Sequence, residues 1–572
     1  DVYKRQDTVL AQRMAQVSNA QAETRELSAT ERAIAEVWKQ LLPGLADPAP
    51  LDESFFDLGG HSILATRLVF QLRHKLGVHV PLGLVFDAPT IAQLAAATEK
   101  ISSGGTDFLV AAPDAAKENA SSGDLDYAKD AQVLESELPA SFMRATPAGE
   151  PRVVLLTGAT GFLGAYVLAD LLDKRRNHVQ KVYVHVRAND AGSAQRRLRD
   201  ALAGRGLWRE AWEQEGRVQA VVGDLSKPHL GLNDEDWAHL AKEVDVIVHN
   251  GALVHWVYPY SKLRAANVLS TMAVMRLANE GRPKSVAFVS STSALDTEYY
   301  IRFSDTSAQG VLESDPLNGS ASDLKSGYGQ SKWVAERLLM AAASRGLAAV
   351  IIRPGYVVGD SKTAVTNTDD FLFRLIKGSA QLGLIPDMNN TINMVPVDHV
   401  ARVTSLAGLA ATQWPENRQT HAAVFHVTSH PTIRYNEFLG ALIEYGWNVR
   451  PAEYLEWRTA LENHVLASAA AGNTGLDADS NALFPLLHFV LDDLPTSTKS
   501  PELNDANTTK LLTEAHELDV VRGVDVPLVG LYLSWLVAVG FLPPPASKSA
   551  RTLPTLPEGA ARQAMGRGSA AV

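Results

Sequence analysis

Four apolar residues, Val153 to Leu156, run into Thr157-Gly158-Ala159-Thr160-Gly161-Phe162-Leu163-Gly164, after which Val167, Leu168, Leu171 and Leu172 recur at helical spacing. A buried strand that stops at a glycine and reopens as a helix predicts a dinucleotide-binding turn. Gly158 allows the tight turn, Gly161 lets the backbone approach a pyrophosphate, and Gly164 lets the helix pack close to the sheet. The first turn of the helix then aims its N–H groups at phosphate. Thr157, Gly158, Thr160, Gly161, Phe162, Leu163 and Gly164 are the candidate cofactor-binding residues of this stretch. A glycine turn of this kind commits the surrounding chain to an α/β class with a doubly wound parallel sheet.

A chain of 572 residues is too long for one core and allows two or three domains. Its net charge of −11 gives no electrostatic footprint for nucleic acid. It contains no cysteine, so any thioester chemistry needs an imported sulfur. No metal-ligand spacing is complete, because His249 and His255 have no third partner. The N-terminus lacks an initiator Met and an apolar signal region, which reads as a fragment of a longer chain without a leader. Val526 to Leu542 is slightly short for a membrane span and is broken by Pro527, Gly530 and Ser534, so it is expected as a buried helix in a cytoplasmic protein.

Downstream of the glycine turn, Lys181 to Val186 reads as a second buried strand ending at Arg187. Rossmann units that select NAD commonly place a carboxylate there for the ribose 2′-hydroxyl. Arg187 instead, with Arg197 close behind, predicts pairing with a 2′-phosphate and hence NADPH. Two more strand ends, at Asp224-Leu225 and at Asn250-Gly251-Ala252, are expected along the same crevice, beside the adenine and beside the phosphates or nicotinamide ribose. The Ser285 to Val289 strand ends in hydroxyls that include Thr292, and Gly327-Tyr328-Gly329-Gln330-Ser331-Lys332 follows. Tyr328 and Lys332 are four apart, on one helical face. An ammonium beside a phenol favours the phenolate, fitting it to exchange a proton near neutral pH.

At the other end of the chain, Ser28-Ala29-Thr30-Glu31 is a capping box that opens an amphipathic helix. Phe55-Phe56-Asp57-Leu58-Gly59-Gly60-His61-Ser62 then precedes a second apolar helix. This octet closely resembles the attachment motif of acyl and peptidyl carrier domains, which implies 4′-phosphopantetheine on Ser62 and a helical module over residues 28–98. An exposed helix start suits a phosphodiester. It would also bring the thiol that the chain lacks.

From the glycine turn onward the chain resembles the extended short-chain dehydrogenase/reductases, and more narrowly the thioester reductase domains that terminate carrier-protein assembly lines. That resemblance implies catalytic roles for Thr292, Tyr328 and Lys332, and places Pro354 and Gly355 beside the nicotinamide. Ser270, where the family usually has glycine, departs from the pattern and questions close helix packing there. The strings Thr366 to Phe371, Gly383 to Asp387 and Ala482 to Pro495 resemble the large fungal lysine-biosynthesis reductases built as adenylation, carrier and reductase domains. The implied reaction is reduction of a pantetheine-bound L-2-aminoadipyl thioester to the semialdehyde. The alternative is a carboxylic acid reductase or peptide-synthetase terminal reductase acting on another acyl group. The implied partners are a phosphopantetheinyl transferase, the carrier-bound acyl substrate and an adenylation domain outside this chain, with neither nucleic acid nor membrane.

The expected organisation is therefore an N-terminal fragment or linker (1–27), an all-α carrier (28–98), a linker (99–150), an NADP-binding Rossmann domain (151–359), a mostly α-helical substrate-side cap (360–545) and a disordered tail (546–572).

Overall fold

A computed structural model describes residues 27–42, 45–58, 62–78, 80, 84–85, 88–102, 125–145, 152–255, 258–414, 422–470, 481–483, 486, 490, 494–495, 498–546, 551–558 and 560. The chain divides into two compact units, residues 1–120 and 121–572.

In the first unit, Ser28 caps the Ala29–Leu41 helix and Glu31 returns the bond, which completes the expected capping box. Ile34, Val37, Trp38 and Leu41 of that helix are buried, and Trp38 packs against Phe55. A second helix spans Ser62–Leu76 and another Ile91–Ser102. Gly59, Gly60 and His61 of the attachment motif lie outside the described residues.

The second unit is organised by a seven-stranded parallel sheet. Its strands are β1 (Arg152–Thr157), β2 (Val179–Val186), β3 (Val218–Val222), β4 (Val246–His249), β5 (Ser285–Val289), β6 (Ala349–Pro354) and β7 (Ala423–Val427). Their order is β7-β6-β5-β4-β1-β2-β3. The chain turns back between β1 and β4, so a crevice opens beyond their carboxyl ends, where doubly wound folds bind ligands. Alternation along β1 feeds two cores. Leu155 packs with the helices Asp234–Glu243, Ser270–Ala278 and Gly327–Ser344 on one face. Val154 and Leu156 pack with Phe162–Ala169, Ala191–Ala203 and Val397–Ala410 on the other.

Three expected boundaries move. The Rossmann unit does not end at residue 359, because β7 and the Val397–Ala410 helix complete its sheet and one of its cores. The 99–150 linker gives way within the second unit to a helix at Tyr127–Ser136. Asp126 caps it, Tyr127 donates to Ser320 O at 2.7 Å, and the buried Asp130 carboxylate takes Tyr260 Oη at 2.5 Å and Arg264 Nε at 2.7 Å. Its apolar stripe, Tyr127, Ala131 and Leu134, with Leu138 just beyond, is buried in the core on the Leu155 face of the sheet. In the tail expected to be disordered, Pro554 O accepts from Ser534 Oγ at 2.8 Å and Arg551 pairs with Glu444. The Val526–Ala538 helix is buried through Leu528, Val529, Tyr532, Leu533, Trp535 and Leu536. No helix among the described residues is long and apolar enough to cross a membrane.

Candidate active site

The glycine turn is held by contacts that leave no room for side chains. Gly158 has φ +76°, and a Cβ on it would lie 2.7 Å from Gly251 Cα. A Cβ on Gly164 would run into the Gly158 carbonyl. Gly161 caps the Phe162–Ala169 helix with no side chain over its N–H groups, and no acidic residue occupies the first turn. The β1 end and the β4 end therefore touch backbone to backbone, leaving a concave run of N–H groups that fits a pyrophosphate. Thr160, Phe162 and Leu163 are half-buried on this rim.

Thr157 does not face the crevice. It is fully buried, accepting the Gly251 N–H at 2.8 Å and donating to His249 Nδ1 at 2.9 Å. That assignment leaves the His249 proton on Nε2, which faces Ser270 Oγ at 3.3 Å while Ser270 donates to Ala266 O at 2.6 Å. The serine that departs from the family pattern thus completes a buried chain. Burial, and behind it the charge of Lys332, pushes His249 down to about 3, so the ring is neutral.

At the end of β2, Arg187 is exposed and its carbonyl accepts Arg197 Nη1 at 2.7 Å. Neither guanidinium forms an ion pair among the described residues, and Arg197 Nε is buried without a partner. Two unpaired cations side by side fit a doubly charged phosphate. Arg199 is committed elsewhere, to Glu213. Burial raises the Asp224 carboxyl at the β3 end, but Ser226, with Arg187 and Lys227 nearby, outweighs it and holds the group below its ordinary range. Leu225 lies against Gly251, and half-buried Asn250 donates to Gly158 O at 3.4 Å, so these residues border the turn. Ala252 follows, half-buried.

Three elements meet beyond β4, β5 and β6. Thr292 starts a short 3₁₀ turn, Thr292–Leu295, behind the Ser291 cap. The Gly327–Ser344 helix starts at Ser326 and lies so close that a Cβ on Gly329 would sit 2.7 Å from Ser293 O. Glycine at 329 thus puts Tyr328 and Thr292, both half-buried, at one corner. Lys332 lies beneath them, 2 % exposed, with Nζ donating to Val289 O at 2.7 Å and 5.7 Å from the Tyr328 ring centre. Burial, opposed only in part by Glu336, lowers Lys332 to about 7. Pro354 ends β6, and Gly355 follows it against Asn393.

Further buried side chains hold this corner. Asn267 clasps Leu253 at both backbone groups and donates to Ser331 Oγ at 2.9 Å. Glu336 and Arg353, both fully buried, pair at 2.6 Å. Glu336 at four residues past Lys332, and an arginine directly before Pro354, were the available signals. Among the described residues no cluster of His, Asp or Glu could hold a metal.

The residues 156–404 match the family model described as "Male sterility protein", and residues 32–98 match that of the phosphopantetheine attachment site. The L-2-aminoadipate reductase of Schizosaccharomyces pombe is 47 % identical over 91 % of this chain, which spans 36 % of that protein's length. The terminal R domain of the myxalamid PKS-NRPS biosynthetic pathway superposes with TM-score 0.62 at 32 % identity, over 73 % of this chain and 100 % of that domain. A thiolation-reductase di-domain of an archaeal non-ribosomal peptide synthetase shares the fold, with TM-score 0.64 and 20 % identity over 90 % of this chain and 98 % of the other.

Proposed function

Because the chain belongs to the carrier-linked terminal reductases of the extended short-chain dehydrogenase/reductase family, we propose that it reduces a thioester on its own carrier to an aldehyde. The acyl group is L-2-aminoadipyl, the product its 6-semialdehyde, and the process lysine biosynthesis in the cytoplasm. The corner of Thr292, Tyr328 and Lys332, at the carboxyl edge shared with the glycine turn, carries the chemical reading. The likeness to L-2-aminoadipate reductase supports the acyl group.

Gly158, Gly161 and the open helix start cradle the pyrophosphate, and Arg187 with Arg197 takes the 2′-phosphate. NADPH, when bound, supplies hydride to the thioester carbonyl carbon. Tyr328 and Thr292 hold the carbonyl oxygen as charge develops on it, and Tyr328 gives it a proton. The resulting hemithioacetal then breaks its C–S bond, its hydroxyl proton passing to the sulfur, which leaves the aldehyde and the free pantetheine thiol. Lys332 favours the phenolate and so sets the ease of that transfer. Ser62 begins its helix with no acidic residue in the first turn, where a phosphodiester gains from the helix dipole. A phosphopantetheinyl transferase modifies Ser62, and an adenylation activity supplies the acyl group.

The test is to load the phosphopantetheinylated chain with aminoadipyl groups and follow NADPH absorbance. Ser62→Ala abolishes pantetheine attachment by intact mass yet still folds, because a helix-start hydroxyl is worth about 1 kcal/mol. A full mass increment on Ser62→Ala sinks the carrier assignment. Faster turnover of an unrelated acyl thioester selects the alternative substrate class.

A further inference from the structure

Directly behind the reaction corner runs a chain of fully buried polar groups that crosses three strands. The Glu336 carboxylate accepts Ser290 Oγ at the β5 end, together with Arg353 Nε at 2.9 Å and Nη2 at 2.6 Å from β6. Arg353 Nη1 reaches His426 Nε2 on β7 at 3.0 Å, and His426 Nδ1 faces Asn504 O at 2.7 Å. A carbonyl only accepts, so His426 carries its proton on Nδ1 and receives Arg353 on Nε2 as a neutral ring. Arg353 therefore has one anion, Glu336, and Glu336 is bonded on both oxygens.

Glu336 also lies one helical turn past Lys332 on the same face. The groups around the Lys332 ammonium are few. Its own helix offers Tyr328 and Glu336; β5 offers the Val289 carbonyl and the Phe288 ring, 4.6 Å away; β4 offers neutral His249. Lys332 makes no ion pair among the described residues, so its charge has no direct counter-ion. A buried ammonium without a counter-ion is costly and tends to shed its proton.

We propose that Glu336 is a positioning residue of this reaction: its carboxylate, locked by Arg353 and Ser290, keeps the Lys332 ammonium charged from one turn away. The inference rests on the reading of Lys332 as the partner of Tyr328. Burial alone would leave Lys332 neutral at lower pH, and Glu336 is the carboxylate that opposes this.

The experiment measures single-turnover thioester reduction against pH, with NADPH dissociation constants, on the phosphopantetheinylated chain. The parent, Glu336→Gln, Glu336→Asp, Glu336→Gln with Arg353→Met, and Lys332→Met are compared. As pH rises Lys332 loses its proton and the rate falls; without the Glu336 charge this alkaline limb moves down by about one pH unit. At pH 6 the Gln variants run within about threefold of the parent, since acid restores the ammonium. Glu336→Asp keeps the charge and holds the limb near the parent's. Glu336→Gln alone strands the Arg353 charge and can fail to fold. The double variant removes both charges, and Glu336→Asp removes neither. A limb that stays put in the double variant, a loss equal at every pH, or an Asp variant that shifts as far as Gln overturns the proposal. Lys332→Met with parental turnover overturns instead the reading of Lys332 on which it rests.

Discussion

On the β1–β3 side of the carboxyl edge, the site is made of backbone and exposed charge. Gly158, Gly161 and Gly164 leave a bare turn, and Arg187 stands in solvent with Arg197 beside it. On the β4–β7 side it is made of interlocked side chains: Asn267 to Ser331, Glu336 to Arg353, Arg353 to His426, with Lys332 sealed beneath Tyr328. On the proposed reading the first half has only to accommodate a large polyanion, which backbone dipoles and guanidinium groups do without a rigid frame. On the same reading the second holds an oxygen and a proton donor to within a fraction of an ångström, which requires groups whose own rotamers are fixed. Side-chain changes on the first side should therefore grade affinity, and on the second side rate.

The sharpest break in that comparison comes from Tyr328→Phe. Removing the phenol hydroxyl should cut single-turnover reduction by about 10²–10⁴-fold, the usual worth of a positioned proton donor. NADPH affinity should stay near the parent's, because the loss belongs to the transition state. Turnover within about threefold of the parent would send the search for the donor elsewhere and leave the second half with no chemical role.

Arg187→Ala tests the first half. It should weaken NADPH by roughly ten- to a hundredfold, the value of one charge-assisted hydrogen bond, and NADH hardly at all. Paired dissociation constants for the two cofactors decide it. Equal losses would mean that Arg187 supports the fold or contacts something common to both. Arg197, whose guanidinium donates to the Arg187 carbonyl, should show the same preference more weakly.

The same contrast explains what could be read from the sequence. Backbone features announce themselves: glycine spacing, a strand ending in Arg187, and Tyr328 four residues before Lys332 are all local patterns. Buried polar networks do not, because Glu336, Arg353 and His426 are separated by up to 90 residues and meet only through the strand order β5-β6-β7. The Tyr127–Ser136 helix escaped for another reason. Its four-residue stripe was legible, but the polar stretch before it set the expectation for the whole segment. Similarly, β7 lies beyond the boundary expected after the Pro354-Gly355 segment, although Ala422 to Val427 is as apolar as any strand before it.

Thr157→Val probes the seam where the two halves join, and there the smallest effect is expected. The sequence places Thr157 in the glycine turn and so among the cofactor residues, whereas its hydroxyl is buried between the Gly251 N–H and His249 Nδ1. Valine keeps the shape and removes both bonds, leaving two buried polar groups unpaired at about 1–3 kcal/mol. Melting should therefore fall by a few degrees, since roughly 2–4 °C per kcal/mol applies to domains somewhat smaller than this one. NADPH affinity should change by no more than about threefold, under 1 kcal/mol, because the turn is still held by the contact of Gly158 with Gly251. A tenfold loss of affinity at unchanged melting temperature would give the hydroxyl back to the cofactor. It would also move the seam, making β4 part of the phosphate half rather than the start of the chemical one.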